Sequence, residues 1–208
     1  MAHARIALDA MGGDNAPGET VRGAIQAVRS DPDLVVCLVG DRAVIEPELA
    51  RCDASPERIE IVHATQVIRG HDAPVEALKS RPDASIKRAA EMLKAGAADG
   101  LVAAGSTGAT VAAATLILKL IPSVRRPGIA VMLPAAGGRH TVLCDAGANI
   151  YCRALHLYHY GIMAAQYAQD YLGRENPRVG LLNVASEEGK GTDLVKETLS
   201  LFGRSPVN

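Results

Sequence analysis

Four short stretches of this 208-residue chain gather the small, polar and charged residues that hold anions. In the first, an apolar run ends in Asp9 and passes through Gly12-Gly13 into Asp14-Asn15. The second is Gly105-Ser106-Thr107-Gly108, followed by Ala109 and Thr110. The third is Asp145-Ala146-Gly147-Ala148-Asn149, and the fourth runs from Asn183 to Thr192 with Lys190 between Gly189 and Gly191. Glycine-rich turns at the start of a helix present bare backbone N–H groups, the usual cradle for an oxyanion. Ser106 and Thr107 add hydroxyls, Asp145 and Asn149 a carboxylate beside an amide, and Lys190 an ammonium able to meet a phosphate or a developing oxyanion. Each stretch also has a plainer reading. Two glycines occur in many α/β loops that hold nothing, and Ser106 can serve as a helix N-cap. On spacing alone Lys190 reads as part of a solvated helix-start loop, whose acidic residues suit the helix dipole.

Other chemistries lack their residues. There is no GxGxxG, and Gly189-Lys190 has neither the upstream Gly nor the following Ser/Thr of a P-loop. HExxH and GxSxG are also missing, and together these absences disfavour nucleotide-dependent phosphoryl transfer, simple Rossmann redox chemistry and a Ser-triad hydrolase. His156 and His159 stand i, i+3 as metal ligands can, but no third ligand accompanies them, so no metal is expected. Cys37, Cys52, Cys144 and Cys152 form no CxxC pair. Together with the lack of a secretory-signal pattern, they point to a reducing, cytoplasmic setting. The net charge of −1 gives no support to nucleic-acid binding, and Arg125-Arg126 is the sort of pair that usually marks a solvated loop.

Positioning these loops requires a framework of strands and helices. Strand-like runs at 5–9, 34–39, 58–63, 101–104, 129–133, 141–144 and 179–182 alternate with helix-like runs at 18–29, 41–51, 84–94, 107–120 and 155–172, with a last helix from about Thr192. Leu34 to Val39 is continuously apolar, the pattern of a strand buried on both faces. Alternation of this kind predicts an α/β fold with a mainly parallel sheet flanked by helices. Ligands in such folds sit outside the carboxyl ends of the strands, so the four polar loops are expected along one edge. With one Phe and no Trp, the core must be built from Ala, Val, Leu and Ile. The uncharged run Gly100 to Leu118 is broken by the GSTG turn and reads as strand, loop and helix rather than a membrane span. Ala64 to Asp83, rich in Pro, Gly, His and Asp, is expected to be an irregular, functional loop.

The order of residues in IALDAMGGDNAP, Ile6 to Pro17, closely resembles the opening of the bacterial phosphate acyltransferases of phospholipid synthesis, the PlsX family. Asp72, Pro74, Ala77-Leu78-Lys79, Ser85, Asp145 to Asn149, Cys152, His156 and the Asn183 to Gly191 stretch also fit that pattern. The chain departs from it at Ser106, usually Asn, at Arg81, commonly Lys, at Pro82, at Tyr151, usually Asp, and at Ser186, usually Glu. The resemblance implies a single α/β acyltransferase domain over 1–208, incomplete at its C-terminus, with a fold like those of the isocitrate/isopropylmalate dehydrogenases and the phosphotransacetylases. It implies transfer of an acyl group from acyl carrier protein to inorganic phosphate, without a cofactor. It further implies a homodimer, cytoplasmic with peripheral membrane contact. On this pattern Lys190, Asn149 and Asn183 are the catalytic candidates. Asp9, Gly12, Gly13, Asp14, Gly105, Ser106, Thr107, Gly108, Lys79, Arg81 and Asp145 are the phosphate- or substrate-binding ones. Two rival readings are a phosphotransacetylase-like or dehydrogenase-like enzyme, and a non-catalytic chain that binds acyl carrier protein.

Overall fold

The computed structural model describes residues 4–52, 57–184 and 191–205. The chain divides into two compact units, Met1–Lys119 and Leu120–Asn208.

In the first unit four strands, β1 (Ala4–Asp9), β2 (Leu34–Gly40), β3 (Ile59–His63) and β4 (Gly100–Ala103), form one sheet in the order β3-β2-β1-β4. All three pairings are parallel. The helices are α1 (Gly18–Ser30), α2 (Arg42–Arg51), α3 (Pro74–Ser80), α4 (Ser85–Lys94) and α5 (Thr107–Ala113), the last running on into a π-helical turn over Ala114–Leu118. β2 explains why both faces of the sheet are covered. Val36 and Leu38 pack with Val21, Ile25 and Ile45, whereas Val39 packs with Ala7 and Ala89. On α1 the buried Val21, Ala24, Ile25 and Val28 recur at i, i+3, i+4 and i+7, the stripe that seats a helix on a sheet. Asp41 caps α2 by accepting the Ala43 N–H at 3.0 Å.

In the second unit β5 (Ala130–Ala135) and β6 (Arg139–Cys144) are antiparallel, joined by the short turn Ala136–Gly138. The long helix α6 (Ala154–Leu172) packs against β6 and against α7 (Asp193–Phe202). Thr192 caps α7, and the Phe202 ring meets Tyr158 edge-on, centroids 5.0 Å apart.

Two expectations are corrected. Val179 to Leu182 pairs with no strand and leaves Leu182 81% exposed, so its apolar run does not make it a strand among the described residues. Ala64 to Asp83 is not irregular throughout, because α3 lies within it and buries Ala77 and Leu78. The expected strand, loop and helix over 100–118 is found, and no described helix is long and apolar enough to cross a membrane.

Candidate functional site

β1 connects to β2 on one side of the sheet, and β4 lies on its other side. The crevice between β1 and β4 is therefore the topological switch point at which open α/β sheets bind ligands. Asp9 stands level with Ala103, so the turns after these two strands begin side by side. They touch through backbone. A Cβ added to Gly12 would lie 2.9 Å from the Gly105 nitrogen, and one on Gly105 would lie 2.9 Å from Gly12 Cα. Gly13 holds φ 108°, a conformation that side-chain-bearing residues rarely adopt.

Asp9 lies beneath the turn. It is 5% exposed, and its Oδ1 accepts the Met11 N–H at 3.2 Å. Burial pushes its carboxyl up, offset in part by the Ser85 hydroxyl and the Met11 and Gly12 amides. Ser85, the first residue of α4, is fully enclosed, and its hydroxyl has no hydrogen bond of ordinary geometry despite its nearness to Asp9. Thr20 Oγ1 donates to the Ala10 carbonyl at 2.7 Å, tying α1 to the exit of β1. Asp14 is exposed beyond the turn. Across the crevice Ser106 caps α5, accepting the Ala109 N–H at 3.3 Å. Thr107 and Gly108 are exposed, and backbone N–H groups at a helix start have no intrahelical acceptor.

The segment before α4 braces this end of the sheet. Arg81 grips both carboxylate oxygens of Asp72, at 2.5 and 2.9 Å, and donates to the Val67 carbonyl at 2.8 Å. That guanidinium holds the Asp72 carboxyl well below the usual carboxylate range. Arg81 therefore acts as a clamp on its own loop. Lys79 is exposed in the last turn of α3, whose Pro74 packs against Gly108.

In the second unit Asp145 organises the loop after β6. Its oxygens accept the N–H groups of Ile129 at 2.8 Å, Ala148 at 3.1 Å and Asn149 at 2.8 Å, together with the Asn149 side-chain amide at 3.0 Å. Burial opposes its charge, but those donors win and hold the carboxyl below its ordinary value. The Asn149 amide also donates to the Pro127 carbonyl at 2.8 Å, so it stitches 127–129 to 145–149. Burial pushes the Cys144 thiol up to about 11, which leaves it un-ionised and a poor nucleophile at neutral pH. A cavity of about 830 Å³ opens over β6, α6 and 176–182, lined by Leu133, Val142, Leu143, Leu157 and Ala165 and rimmed by Arg139. Asn183 Oδ1 accepts the Val184 N–H at 2.9 Å, and its amide lies over Gly191. Lys190 lies outside the described residues.

The structure thus brings Gly12, Gly13, Gly105, Ser106, Thr107 and Gly108 to one crevice, with Asp9 below it, while Asp145 and Asn149 form a separate motif in the second unit. Sequence reasoning gave Asp72 and Ser85 no role of their own. Asp72, three residues after Arg69 and nine before Arg81, carried only the faint signal of an acid between two bases.

Comparison with known proteins adds an independent line. The family model described as "Fatty acid synthesis protein" matches residues 4–207. Phosphate acyltransferases of Bacillus cereus and Bacillus cytotoxicus are each 41% identical to this chain over 204 residues. Those alignments cover 98% of the chain but 61% of each relative, so the chain spans about three-fifths of their length. A phosphotransacetylase from Streptococcus pyogenes superposes with TM-score 0.71 at 18% identity, covering 99% of this chain and 67% of that one. The EutD phosphotransacetylase from Staphylococcus aureus gives 0.68 at 21% identity, covering 97% and 64%. These two likenesses establish the α/β fold. The family match and the two Bacillus relatives go further: the chain belongs to the phosphate acyltransferase, or PlsX, family.

Proposed function

We propose that the protein transfers a fatty acyl group from the thioester of acyl carrier protein to inorganic phosphate, giving an acyl phosphate for phosphatidic acid synthesis. The single observation that carries the reading is the meeting of the Gly12-Gly13 and Gly105–Gly108 turns at the switch point of the sheet, in a chain of this family. Orthophosphate is anionic at neutral pH and needs no activating base. Held in line by backbone N–H groups, one of its oxygens attacks the thioester carbonyl. The tetrahedral oxyanion then collapses, the C–S bond breaks, and the thiolate leaves and takes a proton from solvent. The protein supplies orientation and charge stabilisation, and Lys190 provides the cation for the oxyanion. Asn183 orients the substrate, while Asp145 and Asn149 act through the loop they stabilise. Lys79, exposed, attracts the anionic substrate as it approaches, and Asp14 stands exposed beside the turn that receives it. On the same reading the working form is a cytoplasmic homodimer touching the membrane surface.

The test is hydroxylamine trapping of acyl phosphate from the 208-residue protein with orthophosphate and either acyl carrier protein or coenzyme A thioesters. Hydroxamate formed with the carrier-protein donor supports the proposal. Hydroxamate from coenzyme A thioesters alone would move it to a phosphotransacetylase, and none from a folded sample would leave a binding protein. Lys190→Ala should then cost on the order of 100- to 1000-fold in turnover.

A further inference from the structure

The Arg125-Arg126 pair and the two histidines of α6 meet at one place. Arg126 donates from Nη1 to the Tyr151 carbonyl at 3.1 Å, which fastens the segment before β5 to the approach of α6. Arg153 is the N-cap residue of that helix, and His156 Nδ1 accepts the Arg153 backbone N–H at 3.1 Å. His156 thus sits half-buried with Arg126, Arg153, His159 and Arg125 all close enough to act on its charge. Among the described residues no carboxylate forms an ion pair with Arg125, Arg126 or Arg153. One turn along, His159 Nδ1 is enclosed and without a hydrogen bond.

We propose that Arg126, Arg153 and His156, at the head of α6, form a binding site for a phosphate-class oxyanion. Three independent terms favour a negative guest here. The guanidiniums offer forked N–H donors matched to phosphate oxygens. The 19-residue α6 directs the positive end of its dipole at the same spot. With Nδ1 engaged as an acceptor, the neutral His156 ring carries its proton on Nε2, and that N–H remains as a third donor. Unanswered like charge is costly, and its trace is visible at His156. Burial and then the surrounding cations hold its pKa below the ordinary histidine value. Two oxyanions share the required chemistry: free orthophosphate and the phosphate ester of a pantetheine arm. The identity of the physiological guest rests on the acyl-transfer reading, whereas the site itself does not.

The experiment follows the His156 imidazole by NMR through a pH titration of the isotopically labelled protein. It is run in chloride, in orthophosphate and in pantetheine 4′-phosphate at equal ionic strength. A phosphate guest stabilises the imidazolium, so the His156 midpoint should rise by about one pH unit. The rise should be smaller in Arg126→Lys, which keeps the charge and loses the fork, and absent in Arg126→Ala. The larger response of the two phosphate probes identifies the source. If Arg126→Ala fails to fold, Arg153→Ala takes its place, since the Arg153 side chain is exposed. A midpoint indifferent to both probes, or a rise that survives the loss of the arginine, overturns the proposal. Acyl phosphate formation without any response at His156 refutes this site and leaves the activity standing. A response without acyl phosphate does the reverse.

Discussion

The two units hold their functional loops by different means. In the first, Cys37, Leu38, Val39 and Ile45 are fully buried, and three apolar clusters back the sheet on both faces. In the second, Ala154, Tyr160 and Ala168 are the only buried apolar residues among the described ones, and β5 keeps Val131, Met132 and Leu133 on view. The crevice of the first unit is therefore fixed by packing, with backbone pressed on backbone. The loop of the second unit is fixed by polar bonds, chiefly the four that converge on Asp145. Packing constrains shape to fractions of an ångström. A polar clamp keeps a loop in register but fails all at once when its central group is removed.

This contrast can be broken in graded ways. The largest effect should come from Gly12→Val. Its Cβ would press on the Gly105 backbone and the Asp9 carboxylate, so acyl phosphate formation in the trapping assay should fall by at least about 100-fold. Leu38→Ala should lower the stability of the first unit by about 2–5 kcal/mol, read as a drop in urea midpoint. Val142→Ala, at a half-buried position of β6, should cost below about 1.5 kcal/mol. Equal losses would erase the distinction between the units. Asp145→Ala strands the N–H groups of Ile129, Ala148 and Asn149, at about 1–3 kcal/mol for each that stays dry, and hydrogen exchange should quicken at those three amides first. If amides of β2 quicken instead, the loop is not an independent clamp.

The smallest effect concerns acid. The Asp72 carboxyl titrates below its unfolded value, so the Arg81 clamp stabilises the fold above about pH 4 and weakens as pH falls toward the folded midpoint. Arg81→Met should therefore melt below the parent at pH 7 and converge with it in acid. A gap independent of pH would mean that Arg81 acts by packing alone.

Much of the first unit was legible because local signals and tertiary demands agree there. The run Leu34 to Val39 has no polar face, and a strand with two covered faces is its natural home. The glycines of the two turns were read as bare backbone for an anion, but nothing in the sequence announced that the turns press on one another. Legibility failed where the signal was short or depended on partners. α3 has seven residues, too few to display a helical period, and only Pro74 at its start announces it. Val179 to Leu182 has the composition of a strand, but an apolar run becomes one only when a neighbour offers a ladder. The β5–β6 hairpin was missed although Gly137 and Gly138 both hold positive φ, 73° and 69°, as a tight antiparallel turn demands. Simple alternation of strand and helix hid it. The intramolecular bonds of Arg81 and Asn149 were hidden for another reason. A cation or an amide in a loop looks alike in sequence whether it faces a ligand or its own backbone.

The abutment of Gly12 on Gly105 has one more consequence. Neither turn has slack to move alone, so a guest seated against either one pushes on both. Amide resonances at the ends of β1 and β4 should then shift together, in fixed proportion, at every degree of saturation. Such a joint also transmits wear: a change tolerated in isolation at one turn narrows what the other can accept, and the two must drift through sequence space as a pair.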